Sequence, residues 1–233
     1  MKFQFSKGNW RKYALEFLSI FIAVLSAFGL NNWNDNRKSR NSEQKILSEI
    51  RNSISLDLKD FKGNIKSNQL SLKANDRFRD LLQNNSPIQD SIGLYYILLF
   101  RDYPPIINSS AYESFKANDI KTITNDSLRL QIISLYDYYY RILEILEYEI
   151  PEMQSYSNYF AETNAILSPY LEFNETGDLV AISHPTNLSA DEKNSILSYM
   201  WRIKNNRLYK LKRYELIMTE MEKVKANIDS ELN

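Results

Sequence analysis

Residues 13–30, YALEFLSIFIAVLSAFGL, form the one strongly apolar stretch of this chain, and the way they must be buried constrains everything after them. A soluble fold would have to cover them with a second apolar face, yet the rest of the chain is polar and 25% of all residues are charged. A bilayer covers them without a partner. Trp10 and Trp33 flank the stretch. Over 23 residues of helix they are separated by roughly 34 Å, about a hydrocarbon core plus part of its interfaces. Aromatic residues favour that boundary. The expected organisation is a short basic tail over 1–12, a transmembrane helix over 13–33 and a soluble domain over 34–233.

Two other readings are weaker. A cleavable signal peptide would use the basic start, the apolar run from Phe17 and Ala27-Phe28-Gly29 as a small-x-small site. A soluble core helix lacks the partner face. Lys2, Lys7, Arg11 and Lys12 precede the stretch and Arg37, Lys38, Arg40 and Lys45 follow it, so the positive-inside rule is nearly balanced. A short amino-terminal tail normally stays in the cytoplasm. The expectation is therefore a single-pass inner-membrane protein with a cytoplasmic N-terminus and a periplasmic domain.

One face of the membrane helix carries small residues. Ser19, Ala23 and Ala27 recur every four positions, with Ser26 beside them and Glu16 one turn earlier. Small residues let helix backbones approach closely in lipid, and a carboxylate inside a span marks function by default. The face reads as a seam for self-association or for another membrane protein, with Glu16 as its polar contact. The plainer reading is that Lys12 neutralises Glu16 and the small residues only fill space. Trp10, Asn31, Asn32, Trp33 and Asn34 mark the membrane interfaces.

The remainder reads as helix. Leu47, Ile50, Ile54, Leu58, Phe61 and Ile65 recur at steps of three and four, predicting a helix over about 41–82. Asn36 to Arg40 either continues the membrane helix or breaks it. A short helix is expected over 91–100, ended by Tyr103-Pro104-Pro105, and another from the Ser110–Glu113 capping box. Asn125-Asp126 caps a long helix over about 125–167 with the stripe Leu128, Ile132, Leu135, Tyr139, Leu143, Leu146 and Ile150, interrupted at Pro151. Residues 168–188 read as a loop with a small strand at 179–183. The Ser189–Glu192 capping box opens a last helix over about 189–230, with the stripe Ile196, Met200, Ile203, Leu208, Leu211, Tyr214 and Met218. The fold class is all-α: a transmembrane helix followed by an elongated, coiled-coil-like antiparallel bundle.

Chemistry has little to work with. There is no cysteine, and His184 is the single histidine. Neither a metal site nor a catalytic pair can be built around it. No phosphate loop, nucleophile elbow or calcium loop occurs. No catalytic, cofactor-binding or metal-ligating residue is expected, and the protein is read as a non-enzyme. Residues 1–40 carry seven Lys/Arg against Glu16 and Asp35, so the remainder of this net-neutral chain is mildly acidic. That argues against a nucleic-acid partner, which needs a basic face. Tyr136, Tyr138, Tyr139 and Tyr140 cluster in one helix and at about 100° per residue cannot all face one core. They suit a binding surface or cleft, although burial of most of them in a narrow bundle is the favoured alternative.

At Leu30-Asn31-Asn32-Trp33-Asn34-Asp35 the chain resembles a family of Bacteroidota single-pass membrane proteins of unknown function, in which a Glu-containing hydrophobic helix ends in Asn-Asn-Trp-Asn. Glu16 stands fifteen residues before Asn31, similar to the family spacing. Asn108 to Glu113, Ile123-Thr124-Asn125 and Leu128-Arg129 are similar to further family segments, whereas Gly29 departs from the usual Gln. The resemblance implies an anchor rather than a cleaved leader and brings no mechanism.

The leading expectation is a non-catalytic, membrane-anchored scaffold or adaptor that binds another envelope protein. Its partners would be the lipid bilayer and a second copy or another membrane protein. A periplasmic sensory or small-ligand-binding bundle is the second reading. An ion-coupled partner subunit acting through Glu16 is the third.

Overall fold

A computed structural model describes residues 10–84, 86, 88, 91–118, 120–183 and 186–232, so the reading of His184 lies outside the described residues. Helix α1 runs without a break from Trp10 to Asn84, 75 residues, or roughly 110 Å of helix. No proline interrupts it, and its glycines, Gly29 and Gly63, stand alone. The segment Asn36 to Arg40 therefore continues the apolar helix into the bundle. Asn31 Nδ2 donates to Asp35 Oδ2 one turn on, at 3.1 Å, and the Arg37 guanidinium lies 5.7 Å over the Trp33 ring. Residues 10–42 stand clear of the rest of the chain. The bundle begins where Glu43 Oε1 accepts from the Thr124 amide and hydroxyl, at 2.6 and 2.9 Å.

Short helices α2 (Ile92–Phe100) and α3 (Ser110–Asn118) follow. Then come α4 (Asp126–Ser134), α5 (Arg141–Glu144) and α6 (Ala161–Leu167). A hairpin of β1 (Leu171–Phe173) and β2 (Leu179–Ile182) leads to α7, Ala190–Leu232. The hairpin turn holds Gly177 at φ 84°, a conformation costly for any residue with a Cβ. The all-α class holds, with this antiparallel pair as the strand content among the described residues. Asn125 accepts from the Leu128 amide at 3.1 Å, and Ser189 and Glu192 exchange side chain-to-amide bonds, so both long-range helix starts predicted from caps are formed.

Helices α1 and α7 lie antiparallel, with Arg51 beside Asp229, Asn68 beside Arg207 and Asn75 bonded to the Met200 carbonyl. Two apolar cores are stacked along them. The first packs Leu47, Ile50, Ile54 and Phe61 of α1 against Tyr214, Ile217, Met221 and Ile228 of α7, nearer the apolar end of α1. The second packs Phe78, Leu81, Leu99 and Phe100 against Ile196, Met200 and Ile203 at the far end.

Two sequence expectations need correction. The interruption expected at Pro151 is formed, but the stretches on either side of it are not the regular α-helix expected over 125–167. Three wide π turns (Leu135–Tyr140, Ile145–Glu149 and Tyr156–Phe160) and a 3₁₀ turn at Pro151–Met153 divide it. Each π turn admits an extra residue, which rotates the stripe. Tyr140 and Glu147 are buried, while Tyr139 and Ile150, placed inside by a strict 3.6-residue period, are half-buried. On α7 the position four after Ile203 is Arg207, and it is Arg207 that turns inward while Leu208 is exposed. Met218 is likewise half-buried, and Ile217 takes the core position.

Candidate functional site

The residues singled out in the apolar segment form one continuous surface. Glu16, Ser19, Ala23, Ser26 and Ala27 are all exposed along α1, and nothing else in the described chain covers them. The Ser19 hydroxyl donates back to the Glu16 carbonyl at 2.8 Å, so it is satisfied within its own helix. Trp10 and Trp33 stand out from the two ends of the stretch, 76% and 61% exposed, and Asn32 and Asn34 are exposed beside Trp33.

The four tyrosines part company. Tyr136 and Tyr140 are buried, with the Tyr136 ring stacked on Tyr112 at 4.3 Å. Tyr138 is exposed and meets half-buried Tyr139 edge-on at 5.1 Å. Of the four, Tyr138 and Tyr139 remain available to a partner.

A belt of polar side chains, most of them buried, that runs from within the first core towards the second was not anticipated. It grips the extended segment 101–109, which crosses from α2 to α3. Asp57 Oδ1 accepts from the Asn108 amide and side chain at 3.0 and 2.5 Å, and its Oδ2 accepts from the Tyr140 hydroxyl at 3.0 Å. Asp60 Oδ2 accepts from the Ile106 amide at 2.8 Å. Arg207 donates to Asn68 Oδ1 at 3.0 Å and to the carbonyls of Leu99 and Arg101 at 3.1 and 2.9 Å. Lys210 pairs with Glu147 at 2.7 Å, and the Tyr214 hydroxyl donates to the other Glu147 oxygen. Asp102 takes the amides of Ser155 and Tyr156 at 3.1 and 3.2 Å. A segment containing Pro104 and Pro105 cannot join a helix ladder, so its buried groups must find side-chain partners.

Burial raises the Asp57 carboxyl above the ordinary carboxylate range, against the lowering effect of its Asn108 and Tyr140 bonds. It lowers the Arg207 guanidinium and pushes the Tyr140 and Tyr214 phenols far up, beside Asp57 and Glu147 respectively. A carboxyl raised in the fold contributes stability below its unfolded value, which is lost as pH rises through the folded value. Asp57→Asn keeps the shape and can satisfy both Asn108 and Tyr140. The stability of the wild type relative to this variant should therefore fall as pH rises from about 4. Melting curves of both proteins in detergent across pH 4–8 check this; a difference independent of pH would contradict it.

The belt was foreshadowed by charge at stripe positions. Asp57 lies three after Ile54 and four before Phe61, and Arg207 lies four from both Ile203 and Leu211. Its chemistry is cohesive, since its carboxylates are engaged by donors. Among the described residues no three His, Cys, Asp or Glu side chains converge as metal ligands. Compared with protein families, curated proteins and solved structures, the chain matches none.

Proposed function

We propose that this chain is a non-catalytic, single-pass anchor and adaptor of the inner membrane, with its bundle on the periplasmic side, where it binds another envelope protein. The observation that carries the reading is the unbroken α1. Its first part exposes Phe17, Ile20, Phe21, Ile22, Leu25 and Phe28 on the broad side away from the small-residue face, which water does not tolerate and a bilayer requires. Its last part is the spine of both cores. From Trp33 to Glu43 the helix holds the bundle off the membrane surface by roughly 15 Å without a hinge. An anchor of this kind fixes the height and direction of a docking module.

The Ser19/Ala23/Ala27 face supplies the seam at which two such rods meet. Since the Ser19 hydroxyl is bonded within its own helix, a facing backbone can approach without providing a partner for it. The resemblance to the Asn-Asn-Trp-Asn family of single-pass proteins points the same way. Ala23→Leu fills the middle of the seam. Energy-transfer measurements between labelled full-length chains in lipid vesicles should show association weakened on the order of tenfold. An unchanged association constant would count against the seam.

A further inference from the structure

The geometry points to a second binding site, on the side of the bundle away from the membrane anchor: an aromatic groove suited to a small apolar carboxylic acid. The groove, of approximately 470 Å³, is lined by Tyr96, Ile97, Phe100, Arg101, Asp102, Tyr156 and Phe160. That volume is in the range of small-molecule sites, which are mainly apolar with a few placed polar groups.

The floor is rigid. Phe100 and Tyr96 are buried and meet edge-on at 5.6 Å, and the Tyr96 hydroxyl is fixed on Asn164 Oδ1 at 2.9 Å. Phe160 meets Phe100 edge-on at 5.5 Å and carries the Tyr156 ring stacked on it at 4.8 Å. Both of these walls belong to the π turn Tyr156–Phe160, a distortion that recurs at functional sites. Ile97 and Tyr156, 55% and 58% exposed, leave the groove open on one side. Ring faces and edges on three sides favour a flat apolar body.

The rim selects charge. The Asp102 carboxylate is engaged by the Ser155 and Tyr156 amides. The Arg101 guanidinium has no carboxylate partner among the described residues and is held 5.9 Å over the Tyr103 ring. A carboxylate on the ligand would complete it, because the guanidinium fork accepts that geometry. The Arg101 carbonyl is itself bonded by buried Arg207, which fixes the backbone that presents the cation. This site does not depend on the adaptor reading or on the membrane seam.

The test uses the full chain in lipid nanodiscs, with 3-phenylpropionate and its uncharged isostere 3-phenylpropionamide as probes followed by saturation-transfer NMR. The acid should bind in preference to the amide, and should show no comparable transfer from empty nanodiscs. Arg101→Gln should weaken the acid about three- to fivefold and leave the amide unchanged, as expected of a rim-exposed ion pair. Ile97→Trp, at an exposed position, should abolish binding of both while the melting temperature is unchanged. The proposal is overturned if the acid fails to bind, if the amide binds as tightly, or if Ile97→Trp binds as the wild type does.

Discussion

Lys210→Met should destabilise the protein by about 3–5 kcal/mol, the largest loss expected from any single substitution in the bundle. Lys210 and Glu147 are among the most buried charges, with side chains 4% and 2% exposed, and their 2.7 Å contact is screened by neither water nor salt. Removing the ammonium leaves the Glu147 carboxylate with the Tyr214 hydroxyl as its remaining donor, in surroundings that disfavour a lone charge. Adding Glu147→Gln should recover most of the loss, since a Gln oxygen still accepts from Tyr214. Denaturant melts in detergent decide this. A single-variant loss below about 1 kcal/mol would mean that water reaches the pair, as it does for exposed ion pairs.

Arg207→Met is the second large effect, and its signature is local. Arg207 ties α7 to Asn68 of α1 and to the carbonyls of Leu99 and Arg101, where α2 gives way to the extended segment. Bonds to a charged donor contribute about 1.5–3 kcal/mol each, and the abandoned Leu99 carbonyl would stay buried. A loss of at least about 3 kcal/mol follows. Arg207→Lys should not restore it, because one ammonium cannot span three acceptors fixed in a fork. Hydrogen exchange should quicken in residues 99–109 and remain unchanged in the apolar part of α1. Uniform quickening throughout the chain would show that the arginine acts on global stability rather than on the segment it grips.

Much of this architecture could be read from the residues, and the parts that could not share a physical cause. Apolar period and caps are local signals, and they located the two apolar parts of α1 without deciding whether Asn36–Arg40 joins them, together with α2, the start of α4 at Asn125 and the start of α7 at Ser189. The π turns are not local. The switch from Tyr139 to Tyr140 depends on a carboxylate 83 positions away, Asp57, which takes the Tyr140 hydroxyl. Arg207 and Lys210 look like solvated charges until their partners are known, although their place in the stripe of α7 was the clue. The aromatic groove was equally hidden. Tyr96 and Phe100 come from α2 and Tyr156 and Phe160 from a turn more than fifty residues later, so no spacing joins them.

That Glu16, Ser19, Ala23, Ser26 and Ala27 share one face was legible because helical spacing alone brings them together, and α1 presents that face uncovered. Tyrosine spacing was a poorer guide. It gave the rule that four adjacent rings cannot share a face, but not that Tyr136 would be taken up by Tyr112.

The central claim is that α1 crosses the membrane and carries the bundle to the far side, and cysteine accessibility tests it most directly. The chain has no native cysteine. Glu175, exposed at the turn of the hairpin, accepts a single Glu175→Cys substitution without disturbing a core contact. Intact cells are treated with a maleimide that passes the outer membrane but not the inner one. Labelling in intact cells, equal to that after lysis, is the predicted result. Protection in intact cells with labelling only after lysis would place the bundle in the cytoplasm and contradict the account.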